Sequence, residues 1–107
     1  MIRLIASTLL LITFWVNTGL SQGLESQEEF LELYNKAVDS LNTDLESADV
    51  YAVEAIRVAG KRNLWKAYFL KGLVCKKRNE YKQSIVFYER ALNFTRDNLQ
   101  RVYVINN

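Results

Sequence analysis

The chain contains no proline, and after Gly23 only two glycines remain, Gly60 and Gly72. Proline and glycine are the residues that interrupt helices most strongly, so most of this chain has little in it to stop one. Apolar residues recur at spacings of three and four almost throughout, which is the rhythm of one buried helical face. The first predicted helix spans 25–42, "ESQEEFLELYNKAVDSLN", with a stripe of Phe30, Leu31, Tyr34, Ala37, Val38 and Leu41. Ser26, three residues before Glu29, reads as a capping box. A second helix starts near Asp44, past a break at Asn42 and Thr43, and places Leu45, Ala48, Ala52, Ala55 and Ile56 on one face. Gly60 is its expected terminator. A third spans 63–78 and ends in Lys76, Lys77 and Arg78, cations suited to the negative end of a helix dipole. A fourth spans 80–95, beyond a short turn at Asn79. Connections this short cannot carry the chain back along a helix, so consecutive helices form antiparallel hairpins.

The fourth helix mixes very large and very small side chains: Tyr81, Ser84, Tyr88, Ala91 and Leu92. Small residues let two helix backbones approach, while aromatics fill the wedges where they diverge. Gly72, inside the third helix, costs roughly 1 kcal/mol relative to Ala and therefore needs a packing reason. Close approach of the fourth helix supplies one. Ala48, Ala52 and Ala55-Ile56 echo Ser84, Tyr88 and Ala91-Leu92 at a constant offset of 36 residues. Two hairpins with matched small positions make a repeat, with an ordinary four-helix bundle as the alternative.

Tyr68, Gly72, Tyr81, Ser84, Tyr88 and Ala91-Leu92 resemble the tetratricopeptide repeat. Cys75 stands where that family usually has an aromatic, Asn79 where glycine is common in the turn, and no closing proline follows. Residues 61–96 form the better match. Residues 25–60 form a degenerate unit, matched at Ala48, Ala52 and Ala55, with Tyr34 and Val38 as a loose aromatic–small pair. The resemblance implies an all-α fold of antiparallel helical hairpins stacked as a short right-handed superhelix. Residues 97–107 begin a further or capping helix, with Leu99, Val102, Tyr103 and Ile105 available to pack. Such repeats bury their apolar faces only against neighbours, which points to self-association or to further repeats in a longer array.

The N-terminus reads differently. A basic "MIR", an apolar run at 4–16 and small residues Gly19 and Ser21 have the order of a secretory signal peptide. Residues 1–21 are expected to be that segment, cleaved after Ser21, with an uncleaved membrane anchor as the alternative. The expected location is periplasmic or secreted. A small exported domain commonly relies on disulfides, but Cys75 is the only cysteine and sits on an apolar helical face, so helix packing must hold this one together. Charge is polarised along the chain. Residues 25–54 carry nine Asp or Glu and one Lys, a net of −8, and residues 55–107 carry twelve Lys or Arg and three Asp or Glu, a net of +9. That polarity suits head-to-tail complementarity between neighbouring helices or between copies, or an anion-binding surface on the basic half.

There is no histidine. With one cysteine and no histidine, the usual zinc, thiol–imidazole and Ser-His-carboxylate arrangements have no ligands to draw on. "GKRN" lacks the frame of a phosphate loop, and "NFT" at 93–95 is a glycosylation sequon. No cofactor, metal or catalytic residue is expected. What remains is a non-enzymatic module that binds a protein or peptide. The resemblance places its concave face on the first helix of each hairpin, with Asn35, Asn63, Lys66 and Lys71 as candidate contacts for an acidic peptide or a C-terminal carboxylate. A helical spacer of a longer sensory protein is the second reading, and a small helical DNA-binding protein the third. A membrane enters only through the N-terminal segment or a C-terminal region beyond Asn107.

Overall fold

The computed structural model of the protein describes residues 25–106. The apolar run at 4–16 and the expected cleavage after Ser21 lie outside the described residues. All regular structure among the described residues is helical: α1 at 25–40, α2 Leu45–Val58, α3 Leu64–Lys77, α4 Tyr81–Phe94 and α5 Asn98–Ile105. The fold is all-α. Hairpin α1/α2 stacks on hairpin α3/α4, and α5 packs along the second hairpin. Among the described residues no helix is long and apolar enough to cross a membrane.

Each boundary has a local cause. Asp44 caps α2 by accepting the Ser47 N–H at 3.2 Å and the Ser47 hydroxyl at 2.6 Å. Those bonds hold its carboxyl below the usual carboxylate range. Ser26 does not cap α1, because the chain is already helical at residue 25. Gly60 does not terminate α2 either. The helix closes at Ala59, which turns to extended backbone at φ −65° and ψ 125° while its N–H reaches the Ala55 carbonyl. No glycine among the described residues has positive φ. Asn79 takes that conformation instead, at φ 64°. The Glu80 N–H then reaches the Cys75 carbonyl at 2.8 Å and the Asn79 N–H reaches Lys76 at 3.1 Å, the paired bonds of a Schellman closure. Past α4, Asp97 restarts the helix by accepting the Gln100 N–H at 2.9 Å, while Gln100 accepts the Arg96 N–H at 2.7 Å.

The core falls into three clusters, and α3 contributes to all of them. Ala37, Ala48 and Ala52 meet Leu70 and Val74; Phe30 and Ala55 meet Ala67; Ala91 and Val104 meet Trp65 and Phe69. Burying side chains of the size of Leu70, Val74 or Phe69 is worth roughly 1.5–3 kcal/mol each, so α3 is the hub of the stack. In the first hairpin the small residue facing Ala48 and Ala52 is Ala37, which is fully buried, rather than Val38, which is exposed. Leu31 is exposed too. The buried arc of α1 is centred between Phe30 and Ala37, which puts Leu31 and Val38 past its margin.

Between α3 and α4 the approach is tight. A Cβ added at Gly72 would lie 2.6 Å from both Cδ1 and Cε1 of Tyr88. The buried Ser84 hydroxyl donates to the Gly72 carbonyl at 2.9 Å. The Tyr88 hydroxyl is also buried, with no hydrogen-bond partner among the described residues, and burial pushes its ionisation above the usual tyrosine range. Tyr68 fills the wedge on the other side, stacked on Phe87 and Phe94 with ring centroids 6.3 and 5.7 Å away. Leu92 is half-buried against the Trp65–Phe69 cluster. Tyr81 fills no gap. It is 59% exposed, and its hydroxyl donates to Asn79 at 2.9 Å across the turn. As the first residue of α4 it sits at the lip of the hairpin.

Ala91 is fully buried between Trp65, Phe69 and Val104. Ala91→Arg is therefore expected to cost more than about 3 kcal/mol through overpacking and a buried charge. Thermal unfolding followed by circular dichroism should show the cooperative transition lost, and an unchanged melt would contradict this packing.

Candidate ligand-binding face

Almost every direction around α3 is occupied. Ala67, Leu70 and Val74 meet the first hairpin, Tyr68 and Gly72 meet α4, and Trp65 and Phe69 meet α5. The least covered strip holds Lys66, Leu73 and Lys77, spaced seven and four residues apart and so aligned on one side of the helix. On α1 the corresponding open strip is Leu31, Asn35 and Val38, all exposed. Each strip lies on the side of its helix turned from the hairpin partner. Between them the two strips offer apolar carbon, an amide and ammonium groups.

The four expected contact residues divide. Asn35 is exposed on the α1 strip. Lys66 is half-buried, its ammonium 5.8 Å from the centre of the Trp65 ring. Asn63 lies away from the strip: it flanks the start of α3 and lines a hollow of about 370 Å³ with Ser26, Gln27, Val58, Gly60, Lys61 and Arg62. Lys71 is not available as a ligand contact. Its side chain is only 15% exposed and its ammonium is paired with Asp49 of α2. Arg78 reaches the same carboxylate at 3.6 Å and Glu80 at 3.1 Å, tying α2, α3 and the α3–α4 turn together. The rotation of α3 that buries Leu70 and Val74 also turns Lys71 towards α2, so it serves the stack.

Residues outside the expected set complete the face. Leu73 and Lys77 line a shallow hollow of about 420 Å³ with Lys76, Asn79 and Tyr81. Lys77 donates to Asn42 at 2.9 Å. The exposed Tyr81 ring thus edges a hollow carrying two ammonium groups, an arrangement suited to a chain with acidic and apolar side chains. A sequence signal for this existed in the "KKRNEYK" run, where cations flank an aromatic at a turn.

Cys75 is buried, and burial pushes its thiol up, only partly opposed by the nearby Lys71 charge. A thiol held protonated is a poor nucleophile, and here it is a packing group. Among the described residues, no group of three His, Cys, Asp or Glu is placed to hold a metal ion. No protein-family model matches the chain, and no curated protein or solved structure matches it either.

The two lysines should behave oppositely. Lys71→Ala leaves the half-buried Asp49 with Arg78 alone and is expected to cost about 1–3 kcal/mol, between an exposed and a buried ion pair. Lys66→Ala should leave stability within about 0.5 kcal/mol. Denaturant titration of both variants measures the contrast, and equal effects would contradict the assigned roles.

Proposed function

We propose that the protein is a non-enzymatic scaffold of tetratricopeptide-like repeats, exported from the cytoplasm, that binds a protein or peptide segment along the open face of α1 and α3. The observation that carries this reading is that face itself. Exposed Leu31, Asn35 and Val38 on α1, with half-buried Lys66 and Leu73 and exposed Lys77 on α3, are left open by the packed hairpin stack. An extended ligand gains apolar contacts from the leucines and valine, and directional bonds from the amide and ammonium groups. The surplus of cations on α3 favours an acidic segment. The signal-like order of residues 1–21 supports export.

A spacer role in a longer signalling protein is the second reading. It is favoured by the Asp49–Lys71 pair, which spends one cation of the expected face on holding hairpins together. A peptide array separates the two. Acidic peptides should bind saturably to the full chain, basic counterparts should not, and Lys66→Glu should weaken binding about tenfold with its melt unchanged. Absence of saturable binding to any array member would favour the spacer.

A further inference from the structure

We propose that the protein associates head to tail with further copies of itself, the outer edge of α1 in one copy docking on the open face of α5 in the next. α5 is held from one side only. Val104 is buried in the Trp65–Phe69 cluster, and Tyr103 stands edge-on to Trp65 at 6.1 Å and against Phe69 at 5.0 Å. On the other side Leu99, Val102 and Ile105 are 83%, 51% and 65% exposed. They span about 9 Å of helix. The preceding repeat displays what such a face accepts. Counting from the start of each helix, Val102 occupies the place of Tyr68, which is stacked on two rings of an antiparallel helix, α4. The occupant is therefore helical.

Charge selects which helix. An isologous contact between two α5 faces would set Arg96 and Arg101, with Asp97 the single acid among residues 96–107, against their own copies. α1 offers the opposite sign. Its exposed Leu31 and Val38 are seven residues apart, about 10 Å along the helix, and are flanked by exposed Glu28, Glu32 and Asp39. Apolar spacing and charge sign thus match α1 of one copy to α5 of another. This contact is heterologous, so it propagates into rings or open chains rather than stopping at a dimer. It goes beyond the ligand reading, whose test uses Lys66 on α3 and none of the residues altered below.

Sedimentation velocity on two full-chain variants tests it. Leu99→Asp with Val102→Asp blocks the α5 end; Glu28→Lys with Glu32→Lys blocks the α1 end. All four positions are exposed, and circular dichroism checks that both variants remain folded. The unaltered chain should form species larger than dimers as concentration rises, and less so at high salt. Each variant alone should associate at least tenfold more weakly, and their equimolar mixture should form a one-to-one dimer and stop there. An unaltered chain that stays monomeric overturns the proposal. So does dimerisation of the α1-end variant alone, which would mean a tail-to-tail contact. Unchanged association of both variants also overturns it, since that would place the contact elsewhere, including residues 1–24, which both retain.

Discussion

The close approach of α4 to α3 at Gly72 is the constraint on which the rest of the structure depends. Glycine within a helix loses roughly 1 kcal/mol relative to alanine, yet here it leaves the space in which the Tyr88 ring lies. The Ser84 hydroxyl then reaches the Gly72 carbonyl, so a buried donor is satisfied at the same crossing. With the two backbones this close, Tyr88 lies against Phe69 at 5.6 Å. Phe69 in turn presents the surface that receives Tyr103 and Val104 of α5. One missing methyl group thus sets the hairpin spacing, the aromatic layer beside it and the seat of the next helix.

The other side of α3 is fixed by different means. Ala37, Ala48 and Ala52 form a layer of methyl groups that lets the first hairpin close on Leu70 and Val74. The Asp49 carboxylate, shared by Lys71 and Arg78, adds direction to that otherwise featureless contact. Part of the acidic-to-basic polarity of the sequence is therefore consumed between α2 and α3. The remainder lies mostly at exposed positions of α1, the turns, the end of α3, α4 and α5.

Much of this architecture was legible in the residues. The five helices, their antiparallel hairpins and the start of the second helix near Asp44 follow from spacing and from turn chemistry, whereas the capping role of Asp44 itself came only with the structure. Gly72 was conspicuous because a helical glycine needs a reason. What escaped was rotational phase. Six residues of α1 satisfy the apolar stripe, but the neighbours α2 and α3 cover an arc that omits Leu31 and Val38, so two expected core residues line the open face. A one-residue ambiguity likewise hid Ala37 behind Val38 as the small partner of α2. Lys71 looked like a surface cation because its partner is 22 residues away in sequence, and only the rotation of α3 brings Asp49 beside it. Asn79 and Gly60 both looked like turn residues; the tighter α3–α4 connection needs a left-handed residue, whereas the longer α2–α3 connection does not.

The most direct measurement of the central claim is a double-mutant cycle between Gly72→Ala and Tyr88→Val, read by denaturant unfolding. In the unaltered background the added methyl should cost about 1–3 kcal/mol, because it collides with the tyrosine ring. In the Tyr88→Val background that cost should vanish or turn into a gain approaching the ~1 kcal/mol by which alanine outperforms glycine in a helix. Equal effects of Gly72→Ala in both backgrounds, or a stabilisation of the unaltered chain, would mean that the two residues do not set the spacing of the hairpin.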